Sequence, residues 1–260
     1  MTGREPAAQV LAAQVVVIAK EPVPGRVKTR LTPPFTPVEA AALAEAALAD
    51  TLATVAAAGM ARRVLALQGA PGRWLPPGFD VIPQRGAGLD ERIAAALADT
   101  YAAWPAPVLL IGMDTPQVTP ELLVQAAEPL VSGTADATFG PAEDGGFWLL
   151  GLREIDPALV LGVPMSRADT GSLQLTRLTG AGLRVRLAPV LTDVDTAAEA
   201  ERIAAAVPGS RFSACLAAIR DAGLSAHPSA VPPAVRRAEP SAGLLAASAS
   251  PGPFGAGGSQ

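Results

Sequence analysis

Residues 14–31 read QVVVIAKEPVPGRVKTRL. After Gln14, Val15 to Ala19 form an apolar, largely β-branched run without alternation, the pattern of a strand covered on both faces, as in a parallel sheet. Pro24 and Gly25 then bend the chain, and Arg26, Lys28 and Arg30 follow at every second position. In open α/β sheets, ligands gather beyond the carboxyl ends of the strands, where this loop would lie. A bent loop with concentrated positive charge and exposed amides suits phosphate. Gly25, Arg26, Lys28 and Arg30 are therefore candidate nucleotide-binding residues. The loop is not a Walker A motif, since Val27 stands before Lys28 where that motif has glycine. The competing reading is a solvated run of charge.

Downstream, strand patterns alternate with helix patterns. Thr36, Pro37 and Glu39 make a capping box and first turn for a helix that ends at Gly59. RRVLAL (62–67) reads as a strand, a short strand follows around Val81, and a helix runs from Leu89 to Trp104. APVLLIGMD (106–114) reads as a buried strand ending at Asp114, and Thr119-Pro120 starts another helix. Residues 136–152 read as two strands around a tight turn. A helix at 172–179, a strand at 183–188, a helix after Asp195 and a last helix ending near Gly223 complete the pattern. Strands separated by helices predict an α/β fold with a doubly wound, mostly parallel sheet. The expected division is an N-terminal extension over 1–14, a single domain over 15–223, and a tail over 224–260. The tail's Ala/Ser/Pro/Gly-rich composition predicts disorder.

The 260-residue chain is half hydrophobic but only 4% aromatic, so closely packed alanine-rich helices must supply much of the core. A formal net charge of −4 gives no general attraction to nucleic acid or anionic membrane. No uninterrupted apolar run approaches the roughly 20 residues that span a bilayer. The N-terminus lacks the basic-then-apolar pattern of a signal peptide. One cysteine, Cys215, excludes an internal disulfide and fits a reducing compartment. A cytoplasmic protein without membrane or nucleic-acid partners is expected, and the sequence indicates no oligomeric state. The one histidine, His227, lies in the tail, so a Ser–His–Asp triad, a Cys–His pair and a Cys/His zinc site all lack parts. Chemistry must rest on carboxylates, Lys/Arg, backbone amides and a hard cation.

Asp114, expected at the end of a buried strand, can hold Mg²⁺ (or Mn²⁺) between protein and phosphate, because Mg²⁺ takes only one or two protein carboxylates. The alternative is a turn residue before Thr-Pro. Asp193 and Asp195 fall on one side of an extended chain and either could complete that site, although Thr196 with Glu199 makes a capping box that favours acid there anyway. Asp144-Gly145 has the form of a hairpin turn, and Gly146 exceeds its needs, leaving room for close approach of a ligand. In QRGAGLDERI (84–93), Gln84 could read a base edge and Gly86 belongs to a G-x-G whose other reading is an ordinary loop. Trp104 and Trp148 read as core.

Together AKEPVPGRVKTRL, IGMDTPQVTPELL, FGPAEDGGFWLLGL and DVDTAAEAERI carry a resemblance that spans about Val15 to Ile203. The chain resembles the bacterial GT-A-fold transferases found beside radical-SAM/selenodomain proteins and labelled arsenosugar-biosynthesis glycosyltransferases. More distantly it resembles the phospholactate/phosphoenolpyruvate guanylyltransferases and the molybdenum-cofactor nucleotidyltransferases. The resemblance implies a GT-A, Rossmann-like three-layer fold with a mixed sheet. It places Lys28 and Arg30 in the phosphate loop, Asp114 and Asp195 on the metal positions, and Asp144, Gly145 and Gly146 in the substrate-side turn. Met113, Thr115 and Trp148 depart from the family's usual residues, none of them in a charged role.

Two enzyme readings follow. As a nucleotidyltransferase the protein would bind an NTP and transfer its nucleotidyl group to a small phosphorylated acceptor, releasing pyrophosphate. As a glycosyltransferase it would use an NDP-sugar, with Asp144 as the candidate base for a hydroxyl acceptor. Against the second stands Asp114-Thr115-Pro116, where such enzymes generally carry Asp-x-Asp. A nucleotide-binding module without catalysis is the third reading.

Overall fold

Strand β1 (Leu11–Lys20) lies inside a seven-stranded sheet, which explains its unbroken apolar run. Ala13, Val15, Val17 and Ala19 face one side and Val16 and Ile18 the other, and both sides are covered. Gln14 is the wholly buried polar exception. Its amide donates to the carbonyls of Trp104 (2.7 Å) and Ala106 (3.3 Å), and its oxygen accepts from Arg62 (3.1 Å). The computed structural model describes residues 10–226. Of the tail expected over 224–260, residues 227 onward, His227 among them, lie outside the described residues.

The elements continue as α1 (Pro37–Ala57), β2 (Met60–Gln68), β3 (Asp80–Pro83), α2 (Leu89–Ala103), β4 (Val108–Ile111) and α3 (Pro120–Val131). The hairpin β5 (Ala137–Pro141) and β6 (Phe147–Leu152) follows, then α4 (Thr170–Gly180), β7 (Val185–Leu187), α5 (Ala197–Ala206) and α6 (Arg211–Ala226). The sheet order is β3-β2-β1-β4-β6-β5-β7. All neighbours are parallel except those of β6, which runs antiparallel to β4 and β5. From β1 the chain winds outward to β3, and from β4 it winds the other way, so β1 and β4 meet at a topological switch point. The expected α/β fold with a mixed, mostly parallel sheet is what forms.

Helices α1 and α3 cover one face through Leu48, Leu52, Val55, Leu123, Ala127 and Leu130. Helices α2 and α4 cover the other, where Ile93, Leu97 and Leu178 meet Val16, Leu110 and Leu150. On the outer side of α1, α5 and α6 close a third cluster around Leu31, Leu43, Ile203 and Phe212. By length and hydropathy α1 is long and apolar enough to cross a bilayer, but its apolar side is buried against the sheet and α6. Both expected capping boxes form, Thr36 with Glu39 on α1 and Thr196 with Glu199 on α5.

Several boundaries and one core assignment differ from expectation. Strand β1 begins at Leu11, inside the stretch expected as an extension, and α6 runs to Ala226 rather than stopping near Gly223. Strand β4 ends at Ile111 because the chain turns away: the Asp114 carbonyl accepts from Val194 N (3.0 Å), so Asp114 lies in the bend beyond the strand. Trp148 is buried as expected, its N–H donating to the Pro189 carbonyl (2.9 Å). Trp104 is not core: α2 stops before it, its backbone turns extended, and the residue remains 36% exposed. Trp74 packs against the core instead.

One tertiary cap is invisible in the local pattern. Asp50 of α1 accepts from the backbone N–H groups of Arg211 (3.1 Å) and Phe212 (2.9 Å), supplying the first turn of α6 with acceptors. Asp50→Ala should destabilise the protein by about 1–2 kcal/mol in urea unfolding. The amides of α6 should lose hydrogen-exchange protection before those of the sheet. Uniform loss across the fold would show that α6 does not depend on this cap.

Candidate functional site

A cleft of about 600 Å³ opens over the carboxyl ends of β1 and β4, at the switch point. Its first wall is the loop after β1. Val27 and Leu31 anchor that loop in the interior, and between them Lys28 takes a left-handed backbone, φ 47° and ψ 41°. That conformation is uncommon for a residue with a side chain and marks a place the surroundings hold. The three basic residues do not share a face. Arg26 is exposed at the cleft and makes no ion pair among the described residues. Lys28 turns inward, and Arg30 reaches Asp195 (3.2 Å) from solvent.

The centre of the cleft is an ionic cluster. Lys28 Nζ donates to Asp114 Oδ2 (2.6 Å) and Asp195 Oδ1 (2.9 Å), and its side chain is only 10% exposed. Burial alone would push the Lys28 pKa down, but the two carboxylates outweigh it and hold the ammonium protonated well above its usual range. For Asp195, burial acts upward, while Lys28 and then Arg30 act downward and win, so its pKa is lowered. Asp193 behaves oppositely. Burial first, then the charge of Asp114, push it up to about 8, only partly offset by Lys28. Its Oδ1 is buried without a hydrogen-bond partner. Two carboxylates converging on one cation, beside an orphaned carboxylate oxygen, fit a hard divalent ion completed by water and phosphate oxygens. Among the described residues no group of three or more His, Cys, Asp or Glu side chains forms a protein-only metal cage.

The opposite wall is the β5–β6 turn. Asp144 lines the cleft and its Oδ1 accepts from Gly146 N (2.8 Å), closing the turn on itself. Gly145 has φ +87°, and a Cβ there would overlap the Ala168 carbonyl oxygen. The Gly145 carbonyl also accepts from Gly171 N (2.7 Å). The close approach here is that of the chain's own segment 168–171, which docks the start of α4 on the turn.

Two other candidates sit apart from the charge. Gln84 lines the cleft, yet both its donors are engaged, to the carbonyls of Ala19 (2.7 Å) and Ala66 (3.0 Å). Gly86 has φ +123° and serves the tight entry into α2, where a Cβ would meet Glu91. Sequence reasoning missed the loop 164–170. Ser166 is left-handed (φ 59°) and lines the cleft with Met165 and Arg167, while the Thr170 hydroxyl donates to the Pro164 carbonyl and accepts from Arg167 N. The available signal was Asp169-Thr170-Gly171 ahead of a helix pattern.

A model of the family described as "Uncharacterized protein conserved in bacteria (DUF2064)" matches residues 42–167. No curated protein matches the chain. Among solved structures, the chain is similar to a Desulfovibrio desulfuricans G20 protein inferred to be a nucleotide-diphospho-sugar transferase. The likeness covers 83% of this chain and 98% of that one, at 26% identity and a TM-score of 0.74. It shows that the chain has the nucleotide-diphospho-sugar transferase fold. Rv0371c of Mycobacterium tuberculosis H37Rv, solved with manganese, is 22% identical over 75% of this chain and 98% of that one, with a TM-score of 0.46. The 2-C-methyl-D-erythritol 4-phosphate cytidylyltransferase of Thermus thermophilus is 16% identical over 82% and 100%, with a TM-score of 0.43. Both likenesses are distant.

Two glycines test the wall. Gly145→Ala should cost more than about 2 kcal/mol, combining a left-handed backbone with a clash. Gly25 also has a positive φ, +76°, but nothing within 4 Å of a Cβ, so Gly25→Ala should cost only about 1–2 kcal/mol. Equal losses would show that the 168 segment yields.

Asp193 gives a pH test in metal-free buffer. Its folded pKa lies above its unfolded one, so its ionisation lowers stability progressively as pH rises from about 4 toward 8, with no effect below. The melting temperature of Asp193→Asn minus that of wild type should therefore increase from pH 5 to pH 8. A constant difference would mean Asp193 is ionised throughout.

Proposed function

We propose that the chain is a metal-dependent transferase that moves a nucleotidyl group from an NTP to a small phosphorylated acceptor and releases pyrophosphate. The observation that carries this reading is the Asp114–Lys28–Asp195 cluster beside exposed Arg26 and Arg30, at the sheet's switch point. Arg26 and Arg30 bind the polyphosphate and hold its α-phosphorus over the acid pair. Asp114 and Asp195 would hold Mg²⁺ or Mn²⁺, which when bound neutralises phosphate charge as the leaving group departs. An acceptor phosphate oxygen bonds to the α-phosphorus while the bond to pyrophosphate breaks. That oxygen is already ionised, so the chain need supply no general base, only position and charge. Ile18, Leu89, Ile93, Leu110, Phe147 and Met165 give the cleft an apolar side that can bury a base or the body of an acceptor.

A second reading is glycosyl transfer from an NDP-sugar. It is supported by the likeness to the D. desulfuricans protein and by the resemblance to the transferases found beside radical-SAM/selenodomain proteins. There Asp144, at the cleft, would accept the proton of a hydroxyl acceptor.

A thermal-shift series with NTPs and NDP-sugars, each with and without Mg²⁺, separates the readings. A ligand at ~100 times its dissociation constant adds about 2.7 kcal/mol. The NTP should bind more tightly than the matching NDP-sugar, and pyrophosphate should appear only with a phosphorylated acceptor. Arg30→Ala should weaken the NTP about tenfold, the loss of one charged hydrogen bond. Asp114→Asn should abolish the Mg²⁺ response. Tighter NDP-sugar binding with NDP release would replace the first reading by the second.

A further inference from the structure

We propose that Lys28 occupies the divalent cation's own seat in the ligand-free protein, and that metal entry requires its ammonium to leave. The inference rests on the reading of Asp114 and Asp195 as the metal-holding pair.

Lys28 Nζ lies within hydrogen-bond distance of both carboxylates at once, 2.6 Å from Asp114 and 2.9 Å from Asp195. A divalent ion held by the same two carboxylates would compete with the ammonium for their oxygens, and the two positive charges repel in a partly buried site. The lysine is positioned for exchange. Its backbone is pinned between buried Val27 and the short turn Thr29–Leu31, so only its side-chain torsions need change. Arg30 does not fill the same place, because it reaches only Asp195 and its side chain is 72% exposed. The freed ammonium would face the polyphosphate alongside Arg26 and Arg30.

A protein whose binding-competent form is a minor fraction binds its ligand weaker by that fraction. Removing the charge of Lys28 should therefore improve metal binding, which is the reverse of what loss of an ordinary site residue does. The test is calorimetric titration of the full chain with MnCl₂ in the absence of nucleotide. Lys28→Met should bind Mn²⁺ about tenfold or more tightly than wild type, and Lys28→Arg, which keeps the charge, should stay close to wild type. Equal or weaker Mn²⁺ binding by Lys28→Met overturns the exchange and leaves the metal reading standing. If neither wild type nor Lys28→Met binds Mn²⁺, both fall together. Should Lys28→Met not fold, wild type decides the question through the NMR resonance of the Lys28 side-chain ammonium. Saturating Mg²⁺ should shift it or remove it by solvent exchange, and an unchanged signal overturns the proposal.

Discussion

The ammonium of Lys28, held between Asp114 and Asp195, joins parts of the chain up to 167 residues apart. One partner follows β1, one follows β4, and one precedes α5. Without the lysine, two carboxylates would lie side by side with the orphaned oxygen of Asp193 next to them. Without either aspartate, a side chain that is only 10% exposed would retain a poorly compensated charge. In such clusters the loss of one member costs more than the assembled cluster contributes, because the remaining charge stays desolvated. The cluster is thus a point of stability and, on the proposed reading, of function, and a bound cation would change both.

The fold delivers these residues through ordinary rules. β1 and β4 are neighbours whose onward connections diverge, which opens the crevice at their carboxyl ends. The strap that carries Asp193 and Asp195 is fastened by backbone bonds from Leu191 N to the Pro141 carbonyl, Glu143 N to the Leu191 carbonyl and Val194 N to the Asp114 carbonyl. The Gln117 amide adds a bond to the Thr192 carbonyl. It crosses from the β5–β6 hairpin to the loop after β4, and so sets the spacing of the two acids.

Much of this was legible in the sequence because it depends on local chemistry. The unbroken run in β1, the two capping boxes and the Asp144-Gly145 turn are short-range signals, and all appear in the structure. What the sequence did not reveal depends on distant partners. Arg26, Lys28 and Arg30 were read together as a concentration of positive charge suited to phosphate, and the ion pairs of Lys28 with two distant aspartates lay outside that local pattern. Gly146 was read as leaving room for a ligand; it lines the cleft beside the Asp144 carboxylate, while the neighbouring Gly145 is the glycine against which the segment 168–171 packs. Gln84 had the chemistry of a base reader, and it spends its donors on two strand ends. Trp104 belonged to an apolar helix pattern, but the helix ended one residue too soon to bury it.

The central claim is that Asp114 and Asp195 hold a divalent ion against a nucleotide's phosphates. The most direct measurement is an anomalous-scattering crystal structure of the full chain grown with Mn²⁺ and a non-hydrolysable NTP. The account predicts one manganese peak between Asp114 and Asp195, bridged to phosphate oxygens, with Lys28 moved onto the polyphosphate. Nucleotide bound elsewhere, or manganese absent from the acid pair while Lys28 keeps both carboxylates, would contradict it.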